Sequence, residues 1–342
     1  MRRIRWEQSV GLVLLAVAGC PRYAMTDNKF DFKFAPLAVE NVASVSSVRL
    51  VAEGKFATLA VMRKSQDGLP ELNLEPISGS KNPTRALFPL TSPFGTPSWD
   101  LARHATGFAA VWTKPGSAIS QLGYQYSGGE ELKLTGRYPA GIFQSPRFVR
   151  GAAGSGPALT AVMLQGGSYG LVLFPSALES GKAVYQNLPS IASGVVQDGL
   201  LVRSDSGYFL VVRMLQQGDR APDRKDARGE SLPAGVLVFS RLNAKLEALG
   251  PIVKPLGDTP VYEFDCDLID GGIFLIATTQ AGYAAGRANI AEAELKWVTF
   301  SILTKQQLVS PSLLGLENRV EAAVLDVSSA SPRVLIGSIN AH

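Results

Sequence analysis

The sequence predicts an all-β chain: a β-propeller of six four-stranded blades, closed by strands from both termini. Three observations predict it. Six short apolar runs recur along the 342 residues: Thr58–Met62, Phe108–Trp112, Leu159–Met163, Phe209–Arg213, Phe274–Thr278 and Leu335–Ile339. Their fourth residues fall at 61, 111, 162, 212, 277 and 338, so three consecutive steps are 50, 51 and 50 residues, followed by 65 and 61. Most runs are flanked by segments of strict alternation, with Gly, Pro and Ser between them as turn residues. A fixed period near 50 residues is the mark of a repeat architecture.

Each element follows from its pattern. The six runs lack a 3.6-residue apolar period and are apolar on both faces, as strands covered on both sides are. The segments after them, such as Glu71–Glu75, Leu122–Tyr126, Gly170–Phe174 and Gly235–Phe239, alternate like half-exposed strands. A weaker strand follows, as in Leu132–Thr135, and another precedes the run, as in Pro97–Ala102 and Pro146–Val149. Four strands per repeat, the second most apolar, match a propeller blade. Residues 319–342 have room for two strands only, whereas Lys29–Phe34 forms an orphan alternating strand that would complete the last blade. Seven blades and an open β-solenoid are the alternatives. The long steps hold two insertions between second and third strands: Gln216–Ala234, charge-balanced and expected as a loop, and Gln280–Glu294, expected to include a short helix. Both would wall one sector of one face.

Composition narrows the chemistry. Hydrophobic residues make up 46% and charged residues 18%, which excludes dominant disorder. Two cysteines exclude a disulfide-dense scaffold, and two histidines, one of them the last residue, argue against a multi-histidine metal centre. No cofactor and no metal are expected.

The N-terminus reads as an address. Arg2, Arg3 and Arg5 precede a nine-residue apolar core, Val10–Ala18, too short for the ~20 residues of a spanning helix. This is a secretion-signal pattern. Val17-Ala18-Gly19-Cys20 resembles the lipobox of bacterial lipoproteins. That resemblance implies cleavage between Gly19 and Cys20 and a diacylglyceryl thioether on Cys20, with a third acyl chain on its amine. It divides the chain into a signal peptide at 1–19, a lipidated tether at 20–27 and a single propeller domain at 28–342. Pro21 in place of Asp implies, by the same resemblance, the outer membrane, facing the periplasm or the cell surface. Cleavage removes three arginines and Glu7, leaving 30 Lys+Arg against 28 Asp+Glu. The sequence pI of 9.0 is thus no argument for nucleic-acid binding.

Candidate site residues are few. Cys266 in Val261–Asp270 reads as a buried thiol, and His104 lies in another repeat. Asp265, Asp267 and Asp270 form a carboxylate group without an EF-hand spacing, and Asp265 and Asp267 share a strand face. Ser65-Gln-Asp-Gly68 and Ser204-Asp-Ser-Gly207 depart from the Asp-box of sialidase propellers and read as turns, as does Gly151–Gly156. No Gly-x-Ser-x-Gly elbow is present. Trp99 reads as core, whereas Asp100 and Arg147, on predicted inner strands, are candidate binding residues together with Asp265. The expectation is a membrane-anchored, non-catalytic module that binds or scaffolds another envelope component, a protein or a glycan. The alternative is a propeller glycoside hydrolase or lactonase with paired carboxylates in a central pocket. Fold alone decides neither.

Overall fold

The structure, a computed structural model, describes residues 30–341 apart from 38, 40–44, 54–55, 65–69, 77–83, 86–97, 105–106, 115–120, 128, 133, 135, 152–156, 176–182, 189–193, 205–206, 216–223, 226–230, 233, 270–271, 280–281, 290–296, 304–319 and 327–332. The expected signal, the 20–27 tether, the 65–68 turn, Asp270 and most of the 216–234 loop lie outside the described residues.

Among the described residues every regular element is a strand, and the sheets are antiparallel. The chain opens with β1 (Phe30–Leu37). The first sheet is β2 (Val45–Glu53), β3 (Phe56–Lys64), β4 (Pro70–Pro76) and β5 (Thr84–Arg85), paired in that order. The second is β6 (Trp99–His104), β7 (Gly107–Lys114), β8 (Gln121–Tyr126) and β9 (Glu131–Leu132). The third is β10 (Ile142–Phe148), β11 (Leu159–Gln165), β12 (Ser168–Phe174) and β13 (Val184–Asn187). The fourth joins β14 (Val195–Ser204), β15 (Gly207–Leu215) and β18 (Val236–Leu242). Between its last two strands a ribbon pairs β16 (Arg224–Lys225) with β17 (Ser231–Leu232). The fifth is β19 (Val261–Ile269), β20 (Gly272–Thr279), β21 (Gly282–Asn289) and β22 (Trp297–Leu303). In the last, β23 (Val320–Asp326) pairs with β24 (Arg333–Ala341), and β24 pairs along its length with β1, from Phe30↔Ala341 to Leu37↔Val334.

The six apolar runs thus sit on β3, β7, β11, β15, β20 and β24, the second strand of each sheet. Their two-faced apolarity has a direct cause. Alternate residues of one strand enter the cores on its two sides: Val162 of β11 packs with Leu201, Leu210 and Val238 of the fourth sheet, whereas Ala161 and Met163 pack with Val111 and Tyr124 of the second. Likewise Leu210 and Val212 of β15 face the third sheet, and Phe209 and Val211 face Phe264 and Leu275 of the fifth. The core is therefore a series of layers between the faces of successive sheets. The first strands touch one another in the order β2, β6, β10, β14, β19, β23, and β23 touches β2.

Two expectations need correction. Among the described residues the fourth and last sheets have three strands where four were expected. Beside β18 the chain returns only through isolated bridges, Leu242↔Ala248 and Phe239↔Val253. Pro251 and Pro255 lack the N–H a ladder needs, and Gly250 is at φ +111°. The described part of the second insertion is no helix: Gly282–Asn289 is the third strand, paired on both edges to β20 and β22. Those ladders satisfy its backbone and override the helix preference of Ala284, Ala285 and Ala288.

Candidate functional site

The first strands carry a feature shared by five sheets. Their ladders to the second strands shift register close to the start: between Val45 and Ser47, Gln144 and Arg147, Val196 and Asp198, Val261 and Glu263, and Val320 and Ala322. Bulges re-aim the side chains that follow them. In four of these strands an ionisable residue follows within about one turn of the pleat: Arg49, Arg147, Asp198 and Asp265. Asp100 of β6 joins them, and Arg150 follows the end of β10.

These six residues form one buried charge cluster. Arg147 is bidentate on Asp198, with Nη2 2.7 Å from Oδ2 and Nε 3.3 Å from Oδ1. Ser145, at φ +43°, donates its hydroxyl to Asp198 Oδ1, and the Gly199 N–H donates to the same oxygen at 2.9 Å. The Phe148 N–H donates to Asp100 Oδ2 at 2.8 Å. Asp100 Oδ1 lies 3.6 Å from Arg49 Nε and 3.6 Å from Arg150 Nη2, both too long for hydrogen bonds. Arg150 Nη2 is also 3.8 Å from Asp265 Oδ1, which accepts the Cys266 N–H at 3.0 Å. Asp100 has no exposed side-chain surface, Arg147 keeps 1%, and Arg49 and Arg150 keep 12% and 11%.

The protonation states follow from burial and neighbours. Burial alone would raise the Asp198 carboxyl, but the Arg147 guanidinium, by charge and by hydrogen bonding, holds it well below the usual carboxylate range. Burial would weaken the charge of Arg147, and Asp198 and Asp100 more than restore it. At Asp265 burial wins over Arg150 and Arg147, and its carboxyl is pushed up. Arg49 is pushed down by burial and then by the like charge of Arg147. Three guanidiniums face three carboxylates, with Arg213, Glu263 and Asp267 acting on them from beside the cluster.

All three candidates from the sequence, Asp100, Arg147 and Asp265, therefore meet in one place. Arg49, Arg150 and Asp198 were not singled out. The available signal was a lone charge inside an apolar first strand, as in Val48-Arg49-Leu50 and Val196-Gln-Asp198-Gly-Leu200. The remaining candidates lie elsewhere. Cys266 is buried in the layer between the fourth and fifth sheets, and burial, then Asp265, pushes its thiol well up. Trp99 is core and donates its indole N–H to Ser47 Oγ at 2.6 Å, tying the second sheet to the first. His104 packs on Tyr126 with ring centroids 4.2 Å apart. Asp265 is buried and Asp267 half-buried; among the described residues no group of three or more His, Cys, Asp or Glu could hold a metal ion.

No family model and no curated protein matches the chain. Solved structures with propeller-like folds do. A thermostable family-43 glycoside hydrolase aligns with TM-score 0.47 and 10% identity over 78% of this chain and 96% of its own. An exo-1,5-α-L-arabinanase from a bovine ruminal metagenomic library gives 0.46 and 12% over 74% and 96%. A subtype N10 neuraminidase-like protein of influenza A from the little yellow-shouldered bat gives 0.45 and 9% over 90% and 98%. The chain spans 40% of the length of another match, a Mycobacterium tuberculosis puromycin-hydrolysing peptidase, at TM-score 0.40 and 11% identity over 77% of this chain. The architecture of this chain is read from its own sheets.

Proposed function

We propose that the chain is a membrane-anchored, non-catalytic envelope lipoprotein whose propeller binds or scaffolds another envelope component. In this reading the six sheets are six blades of a closed ring, sealed by β1 on β24, and the chain is held through lipid on Cys20 after cleavage at Gly19–Cys20, at the outer membrane. The observation that carries the non-catalytic part is the engagement of the cluster's carboxylates. Each of its carboxylates is engaged by a guanidinium or a backbone N–H, and Asp100 is fully enclosed. A hydrolytic pair needs a carboxyl free to give or take a proton beside an attacking water. The anchoring part rests on the resemblance at residues 17–20.

One observation favours the hydrolase reading. Asp198 is pushed down and Asp265 up, and carboxyls whose environments drive them apart are the usual assignment of base and acid.

The test is a pull-down of the full chain from chemically crosslinked native envelopes, run beside Cys20→Ala. A stoichiometric partner with the intact chain, lost in the variant together with membrane retention, is the expected result. Membrane retention of exported Cys20→Ala contradicts the anchor. Turnover of a glycoside or lactone panel that disappears in Asp198→Asn replaces this reading with the hydrolase.

A further inference from the structure

The third and fourth sheets share an uncharged corner. Residues 138–146, 158–174 and 184–197 contain no Lys, Arg, Asp or Glu, in a chain with 18% charged residues. Two of the four large apolar side chains exposed among the described residues lie there, Ile142 at 43% and Val195 at 52%. Each opens a first strand and pairs across its ladder with a half-buried leucine, Ile142 with Leu164 and Val195 with Leu215. The exposed turn after Leu164, Gln165–Ser168, is polar without charge. The other two exposed apolar residues, Leu249 and Ile252, stand beside β18 among exposed Lys245, Glu247, Lys254 and Asp258. Apolar residues scattered among charges are ordinary, whereas an apolar group on a charge-free surface marks a contact.

The two pairs sit at the same end of neighbouring sheets. Arg150 bridges Val202 in parallel, and Ser145 donates its hydroxyl to Asp198 and accepts the Gly199 N–H at 3.1 Å. Ile142 lies three residues before Ser145, and Val195 three before Asp198. In step with Val162, Leu164 faces the fourth sheet; in step with Val211, Leu215 faces the fifth. The pairs therefore flank the end of the fourth sheet.

The chain enters at that end. In the last sheet Phe30 opens β1 opposite Ala341, and Val320 opens β23 opposite Ser338, so β1 begins where the first strand begins. In the closed ring proposed above, this is the face of Ile142 and Val195. The residues from Cys20 to Lys29 reach at most ~35 Å when fully extended. β1 crosses the depth of the disc over ~26 Å. A lipid on Cys20 brings this face to the bilayer directly, whereas presenting the opposite face would take most of that reach along the rim.

We propose that this face rests on the bilayer, with Ile142 and Val195 entering its interfacial layer and Leu164 and Leu215 behind them. The contact is apolar and does not depend on anionic lipid, because this corner carries no cation. The proposal rests on the anchored reading above and names the surface turned to the membrane.

Benzoylphenylalanine is placed in turn at position 142, 195 or 249 of the full chain. The purified protein is incorporated into vesicles of phosphatidylethanolamine and phosphatidylglycerol with radiolabelled acyl chains. If Cys20 carries no lipid, its thiol is coupled to a maleimide phospholipid in the same vesicles; Cys266 is buried and does not compete. The orientation is thereby tested whether or not cells acylate Cys20, and acylation itself is decided by Cys20→Ala. On illumination, lipid adducts at 142 and 195 should exceed those at 249 by at least about fivefold, and should persist in about 0.5 M salt, where charge contacts are screened. Equal yields at the three positions, or a higher yield at 249, overturn the proposal. Adducts at 142 and 195 joining two copies of the chain in place of lipid make this corner a self-association surface and overturn it too. Loss of the lipid adducts in salt shows an ionic contact and contradicts it.

Discussion

Arg147 and Asp198, on neighbouring first strands, form a two-pronged pair in which Nη2 meets Oδ2 at 2.7 Å and Nε meets Oδ1 at 3.3 Å. It locks the third sheet to the fourth where their ladders have just shifted register. Charge-assisted forks of this kind fix orientation as well as energy. A buried charge left without its partner is far worse than a well-packed apolar pair. Arg147→Met alone, or Asp198→Leu alone, should lower stability by about 3–5 kcal/mol, and the double variant should recover much of that loss. Urea unfolding of the three variants checks it; additive losses would show that the pair is not coupled.

Asp265 sits on the other side of the balance. Its carboxyl is pushed up by burial, so the folded chain holds that proton more tightly than the unfolded chain. The sign follows: its folded state is favoured at low pH, and stability falls as pH rises from the unfolded value of about 3.9 through the raised folded value. Asp265→Asn should melt a few degrees above the parent at pH 7, and the difference should close toward pH 4. Thermal melts across that range measure it. A variant less stable than the parent at pH 7 would mean that the Arg150 contact outweighs burial.

Gly123 is required by its cross-strand partner. A Cβ there would lie 2.2 Å from Cε2 of Trp112, which is fully buried between the first and second sheets. Gly123→Ala must displace the indole and should cost about 1–3 kcal/mol, as overpacking does. Gly166→Ala, with no neighbour within 4 Å of its Cβ, carries only the strain of φ +54°. Equal melting temperatures of Gly123→Ala and the parent would refute the packing argument.

Among the described residues of the 216–234 segment, β16 and β17 pair with each other and with no other strand. Deleting Asp219–Ser231 should therefore change the melting temperature by no more than about 2 °C, since loop length enters stability only logarithmically. A large drop would place the segment against the sheets.

What was legible in the sequence is what repeats within one strand. Phe108-Ala-Ala-Val-Trp112 announces a strand buried on both faces, and its neighbours do pack on both. Phe30 to Phe34 announces an unpaired alternating strand, and β24 receives it. Asp100 and Arg147 stood out as charges on predicted inner strands, and Asp265 as one of a group of carboxylates. Their partners did not, because Arg147 and Asp198 are 51 residues apart and meet only when neighbouring sheets stand side by side. Gly282–Asn289 misled for the opposite reason: its alanines speak for a helix locally, and only β20 and β22 decide otherwise.

Everything proposed at the centre depends on the ring being closed by the pairing of β1 with β24. The direct measurement is a cross-strand disulfide. Lys33 and Ser338 are register partners, whereas Lys33 and Val334 are four residues out of register. Both pairs are changed to cysteine in the Cys20→Ala background and oxidised at low protein concentration. The account predicts an intramolecular bond for Lys33→Cys with Ser338→Cys, a raised melting temperature, and no such bond for Lys33→Cys with Val334→Cys. Equal crosslinking of the two pairs, or bonds between chains only, would contradict it.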